Sequence, residues 1–111
     1  MRYIVNAFTP AMLAGLKGIG SAEARFMVLM DQEARAYAEG ATSAIGHQGT
    51  ADFVSARLGL PCPMARLSLA LNAGDELVIC QLSGPRLPEG RILTAAEVAA
   101  AGVTFILATI G

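Results

Sequence analysis

The chain is poor in the groups from which most recognisable chemistry is built. Its 111 residues hold one histidine and two cysteines. Cys62 and Cys80 stand too far apart for a CxxC pair, and a single histidine completes no zinc cluster with them, so no metal site and no cofactor are expected. The two thiols read as free and buried. Charge is scarce as well: charged residues make up 15% of the chain and the formal net charge is −1, with eight Lys and Arg against nine acids. That balance argues against a broad basic face and so against stable binding of duplex nucleic acid; any anionic ligand must be met by local groups. Long apolar runs are missing too. The uncharged stretch "VAAAGVTFILATIG" near the end falls short of the ~20 residues a membrane span needs. The opening "YIVNAFTPAML" is interrupted by Asn6, Thr9 and Pro10 and lacks a clear cleavage box, so it reads as mature structure. A soluble, intracellular protein is expected, not a membrane protein.

What the chain has is apolar mass. Hydrophobic residues make up 54% of a length that allows one domain, residues 1–111, which is more than one small globule hides. An apolar interface between copies, and hence a homodimer, is expected. "RYIVNAF" predicts a first strand from Tyr3 to Phe8, closed by Thr9-Pro10. "RFMVLM" predicts a strand over Arg25 to Met30, followed by a short helix capped by Asp31 and stopped by Gly40. Ala51, Val54 and Leu58 recur at helical spacing between Thr50 and Gly59. The stretch "RLSLALNAGDELVICQL" alternates, turns at "NAGD" and returns, which predicts a β-hairpin. Glycine and proline exclude regular structure from "SGPRLPEGR", Thr94 caps a helix over Ala95 to Ala100, and "VTFILATI" makes the last strand. The sum is a single α/β domain with a mixed sheet of about five strands flanked by short helices.

Two places invite chemistry. His47 lies between Gly46 and Gly49 just ahead of a helix N-terminus, where unpaired N–H groups and the positive dipole end suit a phosphate, and where histidine can exchange a proton near neutrality. A histidine in that position is also often no more than a turn residue or a helix cap. In "RLPEG", Arg86 and Glu89 ride on a loop stiffened by prolines, a frequent home of functional groups and equally of an exposed ion pair. Gly15, Gly18 and Gly20 lack the context of a phosphate-binding fingerprint and read as flexible backbone.

Taken together, "NAFTPAML", "SAIGHQGTADFVSARLG" and "RLPEGRILTAAEV" resemble the ring nucleases of type III CRISPR systems, a group that includes viral anti-CRISPR proteins and host-encoded relatives. The resemblance runs from Met1 to about Gly15 and over most of Thr42 to Val98, with the intervening span matching in length and character. It implies metal-independent cleavage of cyclic tetra-adenylate, in the cytoplasm of a prokaryotic host cell, to linear di-adenylates ending in 2′,3′-cyclic phosphate. By position it implies His47 and Glu89 as catalytic groups and Arg86 as a ligand-contacting arginine of the catalytic set. Asn6, Phe8, Thr9, Gly46, Gly49, Thr50, Arg66 and Gln81 fall where further ligand contacts are implied. Each adenylate carries its own nucleophile, the ribose 2′-OH, so the protein needs only to align the reacting atoms, stabilise the phosphoryl oxygens and protonate the departing 5′-oxygen. His47 suits that last task; Glu89 suits either proton acceptance or orientation of the histidine. A cyclic tetranucleotide contains a two-fold axis, which suits a symmetric dimer. The alternative is a non-catalytic nucleic-acid-binding or regulatory protein of viral type.

Overall fold

Strand-forming residues with small or apolar neighbours on both faces build the centre of a five-stranded sheet in the order β2-β5-β4-β1-β3. The strands are β1 (Arg2–Val5), β2 (Ala24–Leu29), β3 (Thr42–Ser43), β4 (Glu76–Ser83) and β5 (Gly102–Ile110). The helices are α1 (Asp31–Ala38), α2 (Gln48–Leu58) and α3 (Ala95–Ala100), with a 3-10 helix over Pro10–Leu16. This computed structural model describes residues 1–18, 20, 22–83 and 94–111. β1 runs parallel to both β3 and β4, whereas β5 is antiparallel to β4 and β2, so the sheet is mixed, as the sequence predicts.

Strand alternation sorts the side chains into two cores. Val78 and Cys80 of β4, with Phe105 and Leu107 of β5, face α1, α2 and α3 through Ala34, Ala38, Ala51, Val54, Leu58 and Val98. Leu77 and Ile79 of β4, with Ala108 and Ile110 of β5, face the 3-10 helix and Leu71. Arg57 ties the helical layer together: its Nε donates to Asp31 Oδ2 of α1 at 2.7 Å and its Nη1 to the Val98 carbonyl of α3 at 2.8 Å.

Four local expectations need correction. β1 ends at Val5 rather than Phe8, because Asn6 turns its side chain to the Gly46 backbone. Asp31 is the first residue of α1 and not its cap; Met30 occupies that position, its N–H donating to Glu33 Oε1 at 2.9 Å, while Asp31 pairs with Arg57. The alternating stretch before "NAGD" forms no strand. Both edges of β4 are already taken, by β1 and by β5, and residues 65–72 instead cross beneath the sheet with Leu71 N–H donating to the Met12 carbonyl at 2.8 Å. The fifth strand is β3. Gly15 is a packing glycine and not loose backbone: a Cβ there would run into the Leu71 carbonyl.

One edge of the sheet is apolar and open. Along β2, Phe26 is 59% exposed and Val28 71%, followed by Met30 at 63%. By register Val28 sits beside Ile106, Ile79 and Val5, a single row across one face of the sheet, and Phe26 meets Phe8 edge-on with ring centroids 6.2 Å apart.

Candidate functional site

Where β1 stops, three segments far apart in sequence converge on one glycine. Asn6 Oδ1 accepts the Gly46 N–H at 3.1 Å, and the Gly46 carbonyl accepts from Arg66 Nε at 3.1 Å. Around this junction lies a cleft of about 340 Å³ lined by Asn6, Thr9, Gly46 and Arg66 together with Ala7, Met12, Ala44, Leu67 and Ser68. Thr9 reaches it from the residue before the 3-10 helix. Four of the ligand contacts implied by the resemblance thus share one wall. The other lining residues, Ala7, Met12, Ala44, Leu67 and Ser68, carry no signal of a site in the sequence: Leu67 and Ser68 read as part of an alternating strand, and the rest are apolar.

His47 follows directly. It is half-buried and is the N-cap of α2, with extended backbone (φ −132°, ψ 125°) and its carbonyl accepting the Ala51 N–H at 3.0 Å. Its Nδ1 accepts the Thr50 N–H at 3.1 Å, so the neutral ring carries its proton on Nε2. Thr50 Oγ1 lies 3.2 Å from the same nitrogen. Thr50 therefore offers a donor to the neutral ring and an acceptor oxygen to the imidazolium, and either charge state finds a partner. No acidic residue stands in the first turn of α2, which leaves the positive end of its dipole uncompensated within the helix.

The other implied residues take different places. Gly49 and Thr50 are buried in the first turn of α2. Phe8 is half-buried against Phe26. Gln81 is exposed near the end of β4, opposite Thr104 of β5, with its Nε2 donating to the Leu82 carbonyl at 3.4 Å. Arg86 and Glu89 lie outside the described residues. The cysteines stand apart from the cleft, buried and unbridged in the helical core. Burial pushes both thiols up; for Cys80 it does so, with a smaller contribution from neighbouring Cys62, to about 12. Neither is suited to nucleophilic chemistry. Among the described residues no group of three or more His, Cys, Asp or Glu is placed to hold a metal, and no helix is long and apolar enough to cross a membrane.

A mixed sheet with helices on one face and a cleft beyond the carboxyl ends of its parallel strands β1 and β3 defines a small α/β domain. The sequence profile of the STIV B116-like family matches residues 2–105, and the chain belongs to that family. The solved structure of B116 of Sulfolobus turreted icosahedral virus superposes with a TM-score of 0.80 over 97% of each chain at 24% identity, a likeness of fold. The uncharacterised protein ORF117 of Acidianus two-tailed virus is 41% identical over 61 residues, a match spanning 54% of this chain and 51% of that protein.

Proposed function

We propose that the chain is a metal-independent ring nuclease that opens cyclic tetra-adenylate and so ends type III CRISPR signalling. The observation that carries the reading is the junction at Gly46: Asn6, Thr9 and Arg66 gather on one cleft, with the chain's sole histidine on the adjoining helix N-terminus. The ribose 2′-oxygen attacks phosphorus, the bond to the 5′-oxygen breaks, and His47 as imidazolium delivers a proton to that leaving oxygen. The product strand then ends in a 2′,3′-cyclic phosphate and its neighbour begins with a 5′-hydroxyl. The Arg66 guanidinium and the N-terminal N–H groups of α2 favour negative charge on the phosphate. Arg86 and Glu89 enter by resemblance, as a second cation on the phosphoryl oxygens and as the acceptor of the 2′-OH proton or the partner of the histidine. No resident metal or cofactor has a step in this chemistry.

A second copy completes the proposal. The apolar row through Phe26 and Val28 lies at the end of the sheet from which the cleft opens, and it supports a C2 dimer that presents two catalytic sets to opposite phosphates of the ring. Two cuts then yield two linear di-adenylates.

The test is incubation of the protein with labelled cyclic tetra-adenylate in excess chelator, followed by product analysis. Linear di-adenylates with cyclic phosphate ends are expected. An uncut ring, with random duplex DNA competing for the protein at comparable concentration, would instead favour a non-catalytic nucleic-acid-binding or regulatory protein.

A further inference from the structure

Gly46 is the weak point of the segment that carries the histidine. A glycine immediately before a proton donor leaves the backbone there with the widest conformational choice of any residue type. Yet both of its own backbone groups and the carbonyl before it are tied. The Ile45 carbonyl accepts the Ala65 N–H at 2.9 Å, the Gly46 N–H goes to Asn6 Oδ1 at 3.1 Å, and the Gly46 carbonyl accepts Arg66 Nε at 3.1 Å. The arginine stem also lies along the glycine: a Cβ on Gly46 would stand 3.8 Å from Arg66 Cγ.

We infer that Asn6 and Arg66 are positioning residues, a two-sided clamp on the Gly46 peptide that fixes where the His47 ring stands. The Gly46 carbonyl belongs to the same rigid peptide plane as the His47 N–H, so the arginine sets the entry of the chain into residue 47. Asn6 fixes the peptide plane before it. With both planes fixed, the His47 side chain reaches back to the Thr50 N–H, and the neutral ring holds one tautomer. Arg66 spends its Nε on the clamp, leaving the two terminal nitrogens of its fork for an anion in the cleft. Hence one side chain does two jobs, and a lysine, which lacks the fork, keeps only the charge. The inference rests on the reading of His47 as the proton donor for its consequence in catalysis, but the clamp itself has a readout that needs no substrate.

That readout is the imidazole. Because the chain has one histidine, its ¹⁵N ring signals are unambiguous. At about pH 8, above the ordinary histidine range, the wild-type ring is expected to show two well-separated nitrogen shifts of the Nε2–H tautomer. Asn6→Ala and Arg66→Lys should each draw the shifts toward a tautomer average and raise Gly46 amide exchange on the order of 10-fold, with the rest of the spectrum folded. Asn6→Asp, which keeps an acceptor oxygen, should restore the wild-type ring spectrum. In single-turnover cleavage, Asn6→Ala, which leaves the arginine in place, should slow the step on the order of 10-fold. Ring spectra unchanged in both Asn6→Ala and Arg66→Lys would overturn the clamp. So would an unchanged cleavage rate in a variant whose ring has shifted. If the wild-type protein cuts no ring, the nuclease reading falls and the spectra alone decide the clamp.

Discussion

The observed helix cap and the proposed proton delivery make different demands on the two nitrogens of His47. Nδ1 caps α2 by accepting the Thr50 N–H, while proton delivery to a leaving oxygen needs Nε2. The cap needs the neutral ring and proton delivery the imidazolium, whose Nδ1 is protonated and turns to the Thr50 hydroxyl, so the two roles alternate with charge state, and a substitution separates them. Asparagine is among the best helix N-caps but has no proton to give, so His47→Asn should keep thermal stability within ~1 kcal/mol of wild type, whereas His47→Ala should lose about 1 kcal/mol of helix capping. Thermal unfolding of the two variants checks it; equal losses would mean that the side-chain cap contributes nothing. Cys80 offers a second prediction at this scale. Its thiol holds its proton in the folded protein up to about 12, whereas an unfolded thiol ionises near ~8.5. Above the unfolded value the unfolded chain binds fewer protons than the folded one, so this contribution to stability is complete below pH ~8.5 and declines as pH rises, by at most about 1.4 kcal/mol per unit. Denaturant midpoints measured through that window should fall more steeply for wild type than for Cys80→Ala. Identical slopes would contradict the burial argument.

Among the elements, those that satisfy themselves locally were legible. α3 begins where Thr94 predicts, with Thr94 Oγ1 accepting the Glu97 N–H at 3.2 Å and Glu97 Oε1 accepting the Thr94 N–H at 3.1 Å. α2 ends where Gly59 predicts, in the left-handed region at φ 67°, with its N–H donating to the Ser55 carbonyl at 2.9 Å. Gly59→Ala should cost about 1–2 kcal/mol, read as a lower denaturant midpoint, because alanine meets that φ with its Cβ against the backbone. A variant as stable as wild type would show that the cap relaxes freely. The hairpin, by contrast, depends on which strands compete for β4, and alternation in "RLSLAL" carries no record of that competition. The tertiary pairing of β1 with β4 in parallel decided it. The same limit hid half of the cleft: Asn6, Gly46 and Arg66 stand out through the resemblance, but their meeting depends on residues 65–72 leaving the sheet.

For the molecule as a whole, apolar excess and low charge point to a second copy and away from duplex nucleic acid. The apolar row of β2 gives that expectation an address. Phe26→Asp combined with Val28→Asp should convert a dimer to a monomer by light scattering at micromolar concentration, leaving the spectrum of a folded α/β protein. A wild-type protein of strictly monomeric mass, with or without cyclic tetra-adenylate, would remove the shared-ring arrangement. The mixed sheet and short helices were readable from composition and punctuation, whereas the proposed function rests on motif resemblance, since a lone histidine and scattered arginines specify no reaction by themselves. The most direct test of the central claim is single-turnover cleavage of cyclic tetra-adenylate in chelator by wild type and His47→Asn, with affinity measured separately. A loss of ~10²- to 10⁴-fold in rate with tight binding kept is expected. A capped, folded His47→Asn variant that cleaves at the wild-type rate would contradict it.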